Sequence, residues 1–398
     1  MKLKSIVLLG LLLIVLAIVC SSGSQHAWQQ ETILTDTQSG LLTTEESSEL
    51  VDIESEPVTE VTEASEDSVE ETTMETESSE ETLAIEIMEI PYEQETEAGE
   101  TTQESAEPDD GKLKIISEEL GLEVDYIEID FENVQNAYEL LFVNDMHVLE
   151  LDDSVVPESV EAVKARRDAS FRTRTGMASA AAWPKLASVL DEFSADGIIF
   201  GGDMMDFVSP VNVQILSQGL SQITTPYIYL RADHDLGTWH AGGALSMDDS
   251  MAMHAPISDY CDMFVMEYPE FYVLGWNNST SQLTDYGLQV ARQVCKKGKP
   301  IILATHVPIN SYMDNSLADA AANADHENRK KLWGADCLYR PNDNTSTFLD
   351  MIYDEKSPIK VVLSGHLHFK HVVQLAEQTV EYVLAPAFEG NIAKIVIK

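Results

Sequence analysis

The sequence predicts a layered α/β domain over residues 112–398, with sheets packed together and helices outside them. Three observations lead there. Short apolar runs of strand length alternate with helix-prone stretches from about residue 138 to residue 363, the pattern of an α/β chain. The chain then closes on strand-like runs near 372–375, 380–384 and 392–397. Finally, about 288 residues are enough to bury the core of one large domain.

In order, residues 124–129 alternate Val-Asp-Tyr-Ile-Glu-Ile and fit an edge strand. The run Tyr138–Val143 is the first strong strand, and it leads directly into Asn144-Asp145-Met146-His147. Residues 159–193 favour helix, broken near 172–176, with Pro184 expected at the start of a second helix. Gly197–Phe200 reads as a short buried strand and opens into Gly201-Gly202-Asp203-Met204-Met205-Asp206, where glycines permit a tight turn. A helix is expected within 211–223, then a strand over 227–230 ending in Arg231-Ala232-Asp233-His234-Asp235. Residues 236–268 show no clean periodicity and are expected to form loops with short helices. A strand over 271–276, a helix over 283–296 and a strand over 300–304 follow, the last ending in Thr305-His306. The polar stretch 310–346 is long for a bare connection, so a lid or rim is expected there. Helix 347–353 and strand 360–363 then lead into Ser364-Gly365-His366-Leu367-His368.

The first 110 residues are of another kind. Lys2 and Lys4 precede an apolar run from Ile6 to Val19. A basic start and an apolar stretch shorter than the ~20 residues of a membrane span indicate an export signal or N-terminal anchor over residues 1–24. Cys20 suggests acylation as a lipoprotein, although Val19 is bulkier than the residue usually found before such a cysteine. The chain is therefore expected outside the cytoplasm, attached to a membrane through its N-terminus. Residues 25–111 are rich in Ser, Thr and Glu, and from Ser21 to Asp110 there are 28 acidic side chains and no Lys or Arg. Such a segment cannot offset its ordering entropy and repels itself, so a disordered, extended stalk is expected.

The formal net charge is −45, and 41 acidic against 22 basic side chains in residues 111–398 leave −19 in the domain. That balance argues against a general nucleic-acid surface, which relies on Lys and Arg. Cys261, Cys295 and Cys337 remain beyond Cys20, an odd number without metal-like spacing, and read as structural thiols.

Five of the ten histidines lie immediately after apolar strands, together with several aspartates. In open α/β sheets the carboxyl ends of strands form the crevice where ligands bind. Taken singly the pieces are ordinary: a Gly-Asp turn, or a hydrogen-bonded histidine at a strand end. His366-x-His368 says more, because alternate residues of an extended segment point the same way. The ordinary reading would have to hold at five strand ends in one chain.

The ordered set Asp145-x-His147, Gly202-Asp203-x-x-Asp206, Asp233-His234, His306 and Gly365-His366-x-His368 resembles the calcineurin-like metallophosphoesterase superfamily over about residues 138–385. The resemblance implies a sandwich of two mixed β-sheets flanked by helices. It also implies hydrolysis of phosphate mono- or diesters by a hydroxide that bridges two divalent metal ions. Carried over by position, Asp145, His147, Asp203 and His368 would hold one ion, and Asp203, Asp233, His306 and His366 the other. His234 would protonate the leaving group, with Asp206 as its partner. Mixed imidazole and carboxylate donors suit Mn, Fe, Zn or Co better than Mg or Ca.

Two departures stand out. Ala232-Asp233-His234-Asp235 replaces the family's Gly-Asn-His-Asp or Gly-Asn-His-Glu. The added charge of Asp233 should tighten cation binding and weaken attraction for a phosphate anion. Asp206 stands where purple acid phosphatases carry a Tyr ligand, and Asp206-Phe207-Val208 lacks the Asp-Arg-Gly of protein Ser/Thr phosphatases. The separate C-terminal domain of surface 5'-nucleotidases is not expected either. A stand-alone phosphoesterase acting on a small exported substrate remains, with Asn144, Arg231, Trp239 and His240 as neighbours for which packing is the commoner role. The rival reading is a surface-displayed binding protein on a catalytically weakened scaffold. The nearly complete ligand set argues against it.

Overall fold

The structure, a computed structural model, describes residues 88–89, 110–258, 261–280, 282–324, 332–334 and 341–398. The predicted export segment 1–24, and the linker 25–111 apart from residues 88–89 and 110–111, lie outside the described residues. In chain order the strands are β1 (Met88–Glu89), β2 (Glu123–Ile129), β3 (Tyr138–Val143), β4 (Gly197–Phe200), β5 (Tyr227–Tyr229), β6 (Met263–Glu267), β7 (Tyr272–Trp276), β8 (Ile301–Thr305), β9 (Ile359–Ser364), β10 (His371–Ala376), β11 (Thr379–Val383) and β12 (Asn391–Ile397). The helices are α1 (Asp110–Leu120), α2 (Val160–Ala169), α3 (Ser179–Ala187), α4 (Pro210–Leu220), α5 (Met247–His254), α6 (Asp285–Cys295), α7 (Ser316–Asn323) and α8 (Asp343–Tyr353).

The strands form two mixed sheets, ordered β1-β6-β7-β8-β9-β11-β10 and β2-β12-β3-β4-β5. Strand periodicity explains the layering, since successive side chains point to opposite faces. Leu140 and Phe142 of β3 join Ile199, Val273, Ile302, Ala304 and Leu363 in a core between the sheets. Their neighbours Leu141 and Val143 turn outward, with Ile198 and Phe200, onto Trp183, Leu186 and Leu216 of α3 and α4. On the other side, Leu274, Trp276 and Leu303 meet Leu288, Val294, Phe348 and Ile352 of α6 and α8. The order is thus helices, sheet, sheet, helices, and the central strands are apolar on both faces because both are covered. Each fully buried Leu or Phe contributes about 1.5–3 kcal/mol. Leu303→Ala, at 0 % exposure, would cost about 2–5 kcal/mol.

The two-mixed-sheet sandwich is as expected, and β2 is an edge strand, pairing in parallel with β12. Three local expectations need correction. Residues 263–267 form β6 instead of loop, paired antiparallel with β7 from Met263↔Trp276 to Glu267↔Tyr272. Its Met-Phe-Val-Met run is short and poor in β-branched residues, and the hairpin turn is closed by Tyr268 N–H donating to Phe271 O at 3.1 Å. Pro184 does not begin a helix but sits inside α3, which starts at Ser179. Helix α8 starts at Asp343, four residues early, because Asn342 Oδ1 caps it by accepting the Thr345 N–H at 2.7 Å. The expected rim at 310–346 contains α7, and residues 325–331 and 335–340 of it lie outside the described residues. Cys261 and Cys295 are free thiols, whereas Cys337 lies outside the described residues. Among the described residues no helix is long and apolar enough to cross a membrane.

Candidate metal centre

The polar strand ends of the two sheets meet in one crevice. His366 N–H donates to Asp145 Oδ2 at 2.9 Å, and His306 Nδ1 lies 2.9 Å from Gly201 O, so each contact ties one sheet to the other. The backbone there is unusual. Of the six non-glycine residues with positive φ among the described residues, five are Asp145 (52°), His147 (46°), Asp203 (52°), His366 (68°) and His368 (57°). Left-handed backbone costs an L-residue about 1–2 kcal/mol, and such strain gathers where function requires a geometry. Gly202 is needed for the same reason: its φ is +92°, and a Cβ there would lie 2.9 Å from the His306 ring.

Among the described residues the candidate donor atoms form three clusters; one is His147, Asp206 and His234, and the other two are the candidate cation sites. In one of these sites, His147 Nε2 and His368 Nε2 are 3.2 Å apart, and they lie 3.8 Å and 3.3 Å from Asp145 Oδ1. In the other, one donor atom each from Asp203, Asp233, His306 and His366 falls within 4.8 Å of all the rest, with His306 Nε2 3.1 Å from both Asp203 Oδ2 and His366 Nδ1. Asp203 Oδ2 also lies 3.8 Å from His147 Nε2, so one carboxylate stands between the groups. Donors bound at about 2.1 Å to one transition-metal ion stand about 3.0–3.4 Å apart across a polyhedron edge. The closest pairs match that spacing, and the mixed imidazole and carboxylate set matches the ion class, so these residues fit two divalent cations. The seven residues carried over as ligands are therefore brought together, Asp203 grouping with Asp233, His306 and His366 and standing 3.8 Å from His147 of the other group.

The outer hydrogen bonds fix tautomers. His306 Nδ1 faces the Gly201 carbonyl, which assigns a hydrogen to Nδ1 and makes Nε2 the nitrogen that can ligate once it is deprotonated. His147 Nδ1 faces Asp206 Oδ1 at 3.3 Å, which turns Nε2 toward the cluster. Asn144, buried, donates to Asp145 Oδ2.

Asp206 is fully buried and faces two cationic groups, Arg166 and His234. Arg166 Nε donates to Oδ2 at 2.6 Å and Nη2 to Oδ1 at 2.7 Å, and His234 Nδ1 lies 3.1 Å from Oδ1. Burial disfavours its charge, but hydrogen bonds from His147, His234 and Arg166 outweigh that and hold its pKa far below the usual carboxylate value. Asp203 is also held low: burial opposes ionisation and His306 and His234 overcome it. His234 is pushed up to about 10, because Asp203 and Asp206 outweigh its own burial. Asp235, to which the sequence assigned no role, is a brace. Its carboxylate accepts the N–H groups of Asp203, Met205 and Ala232 and the Tyr229 hydroxyl at 2.9–3.0 Å.

Asp233, the departure from the family pattern, is held by Ser279. Ala232 avoids positive φ and is buried against Gly202, which has no Cβ to oppose it. Of the four neighbours considered, His240 is packed, stacked on Phe207 with centroids 4.1 Å apart. Arg231 is buried and donates to Cys261 O at 3.2 Å. Trp239 is 39 % exposed and lines an open cleft beside the cluster.

Three contributors were missed. Arg166 sits on α2, far from any strand end, and nothing in its local sequence marks it. Asn278 and Ser279 could have been found, since they follow the apolar strand β7 as the other site residues follow theirs. Asn278 Oδ1 accepts the N–H groups of His306 (3.1 Å) and Val307 (2.9 Å).

A sequence model of the calcineurin-like phosphoesterase family matches residues 138–370. No curated protein matches the chain. Similar solved structures include a dimetal phosphatase from Danio rerio, 11% identical with a TM-score of 0.39, covering 63% of this chain and 88% of that one. A purple acid phosphatase from yellow lupin (Lupinus luteus) is 10% identical with a TM-score of 0.39, covering 65% and 45%. A putative 5'-nucleotidase from Staphylococcus aureus, in complex with alpha-ketoglutarate, is 12% identical with a TM-score of 0.35, covering 66% and 51%.

Proposed function

The chain belongs to the calcineurin-like phosphoesterase family, and on that premise we propose that it is an exported, metal-dependent hydrolase of phosphate mono- or diesters. The observation that carries this reading is the position of Asp203, whose Oδ2 lies 3.1 Å from His306 Nε2 and 3.8 Å from His147 Nε2. Asp145, His147, Asp203 and His368 would hold one divalent cation, and Asp203, Asp233, His306 and His366 a second, with Mn, Fe, Zn or Co suiting the donors. Bound there, the cations would neutralise charge on the phosphoryl oxygens and bring the acidity of water near neutral pH.

The chain's own groups supply the rest. His234 holds a proton for the departing oxygen, because its Nδ1 is fixed between the side-chain and main-chain oxygens of Asp206, at 3.1 and 3.0 Å. Asp206 is in turn held by Arg166, so the imidazole does not have to be ordered during the reaction. Asp235 keeps the backbone of the two loops in register beneath it.

Export and membrane attachment belong to the same proposal and rest on Lys2, Lys4, the run from Ile6 to Val19, and Cys20. Cell fractionation of the chain beside its Cys20→Ala variant tests them. For the chemistry, elemental analysis of the purified protein should find two cations per chain. A panel of mono- and diesters with added Mn or Zn should show turnover that His306→Ala abolishes. A full metal complement with no ester hydrolysed would reject the enzyme reading.

A further inference from the structure

Beside His234 lies a cleft of about 510 Å³, lined by Ala162, Ala165, Arg166, Ser170, His234 and Trp239. In a domain with nearly twice as many acidic as basic side chains, this wall has two groups able to carry positive charge and no carboxylate. Arg166 is also held rigidly. Its guanidinium carbon lies 4.8 Å from the centroid of the Phe171 ring and 5.9 Å from that of Trp239, and Phe171 itself stacks on His147 at 4.2 Å. Asp206 takes one N–H from Nε and one from Nη2. A guanidinium has five N–H donors, so three are left, and among the described residues no acceptor takes them. The side chain is 36 % exposed, so those donors remain open to a ligand.

Resting on the phosphoesterase reading, we propose that Arg166 is a specificity-determining residue that receives an anionic group on the leaving-group side of the substrate. The cleft adjoins His234, the residue that would face the departing oxygen, so its occupant is the alcohol portion and not the scissile phosphoryl group. A planar guanidinium with parallel free donors matches a carboxylate or a second phosphate. Trp239 supplies an apolar wall against which the body of that group can lie. The substrate class is therefore a phosphate ester whose alcohol itself carries a negative charge.

The test compares phenylphosphonate with its 2-, 3- and 4-carboxyphenyl analogues, none of which is hydrolysed. Binding to the metal-loaded full chain is measured by isothermal titration calorimetry, for the wild type and for Arg166→Gln and Arg166→Lys. At least one carboxy analogue should bind five-fold or more tighter than phenylphosphonate to the wild type. Arg166→Gln should erase that ratio and Arg166→Lys should retain part of it. A merely structural role, through Asp206, would weaken all four ligands alike and leave the ratio unchanged. Equal binding of the four by the wild type would overturn the proposal even if the enzyme hydrolyses esters. If none of the four binds, the kcat/KM ratio of the corresponding phosphate esters decides on the same terms. A charge preference in binding without turnover of any ester would instead reject the hydrolase reading and keep the subsite.

Discussion

Ser279 Oγ holds Asp233 twice: it accepts the Asp233 backbone N–H at 3.1 Å and donates its own hydrogen to Asp233 Oδ1 at 3.0 Å. The side chain that departs from the family's usual asparagine therefore arrives with its own support. The same carboxylate group offers a donor atom to the cluster formed with Asp203, His306 and His366.

This pairing predicts a separation of effects. Ser279→Ala keeps the charge of Asp233 but frees its orientation, so cation affinity should fall about 10-fold, within the range for lost outer hydrogen bonds around a metal site. Asp233→Asn should also weaken cation binding, yet raise kcat/KM for a dianionic substrate once metal is saturating, because one negative charge leaves the site. Equilibrium dialysis with Mn and steady-state kinetics measure both. Unchanged values in Asp233→Asn would mean that the charge at 233 has no consequence.

The His234–Asp206 pair predicts a dependence on the leaving group. Proton donation matters most when the departing oxygen is strongly basic, and contributes about 10²–10⁴-fold. His234→Ala should therefore slow hydrolysis of an alkyl phosphate by about that factor while barely affecting a nitrophenyl ester, whose alcohol leaves without help. Asp206→Asn should follow the same pattern more weakly. An equal loss for both esters would assign His234 to binding and not to proton transfer.

The ligand strands were legible because each presents the same local signature, an apolar run broken by Asp or His at its carboxyl end, as at Val143-Asn144-Asp145 and Leu363-Ser364-Gly365-His366. The two ligand sets came with the family resemblance, and the structure gathers Asp203, Asp233, His306 and His366 in one cluster and Asp145, His147 and His368 in another. What escaped has no such signature. Arg166 reaches Asp206 from 40 residues away through packing of α2, which local periodicity does not encode. Met263–Glu267 was hidden because its strand character comes from pairing with β7. Asp235 was visible as a residue, but its four donors come from two loop segments and β5 that only the fold unites.

Metal binding should depend steeply on pH. Burial alone would lower the pKa of His306, but Asp203, Asp145 and Asp233 together push it up to about 10. A cation at Nε2 must therefore displace a proton, and its affinity should rise as pH rises toward that value. Titrations with Mn at pH 6, 7 and 8 should show tighter binding at each step, close to 10-fold per pH unit for each proton displaced. Calorimetry in buffers of different ionisation enthalpy should detect the released proton directly. Affinity that does not change from pH 6 to 8 would mean that the ligands are already deprotonated.

The last prediction concerns stability away from the cluster. Glu381 of β11 is completely buried, and among the described residues only the Ser364 hydroxyl (2.8 Å) and the Ile309 N–H (3.1 Å to Oε1) donate to it. Burial raises its pKa to about 8 from 4.5, and those two hydrogen bonds reduce the shift without cancelling it. The folded state thus binds the proton more tightly than the unfolded chain. This contribution to stability is complete below pH 4.5, declines as pH rises, and is lost as pH passes through 8. It should amount to a few kcal/mol. Glu381→Gln keeps a carbonyl oxygen to accept both hydrogen bonds but cannot ionise, so it should be more stable than the wild type at pH 8 and similar at pH 5. Urea unfolding of both proteins at the two pH values measures the difference. A Gln variant that tracks the wild type at pH 8 would show that a water molecule or a shifted side chain already accommodates the charge.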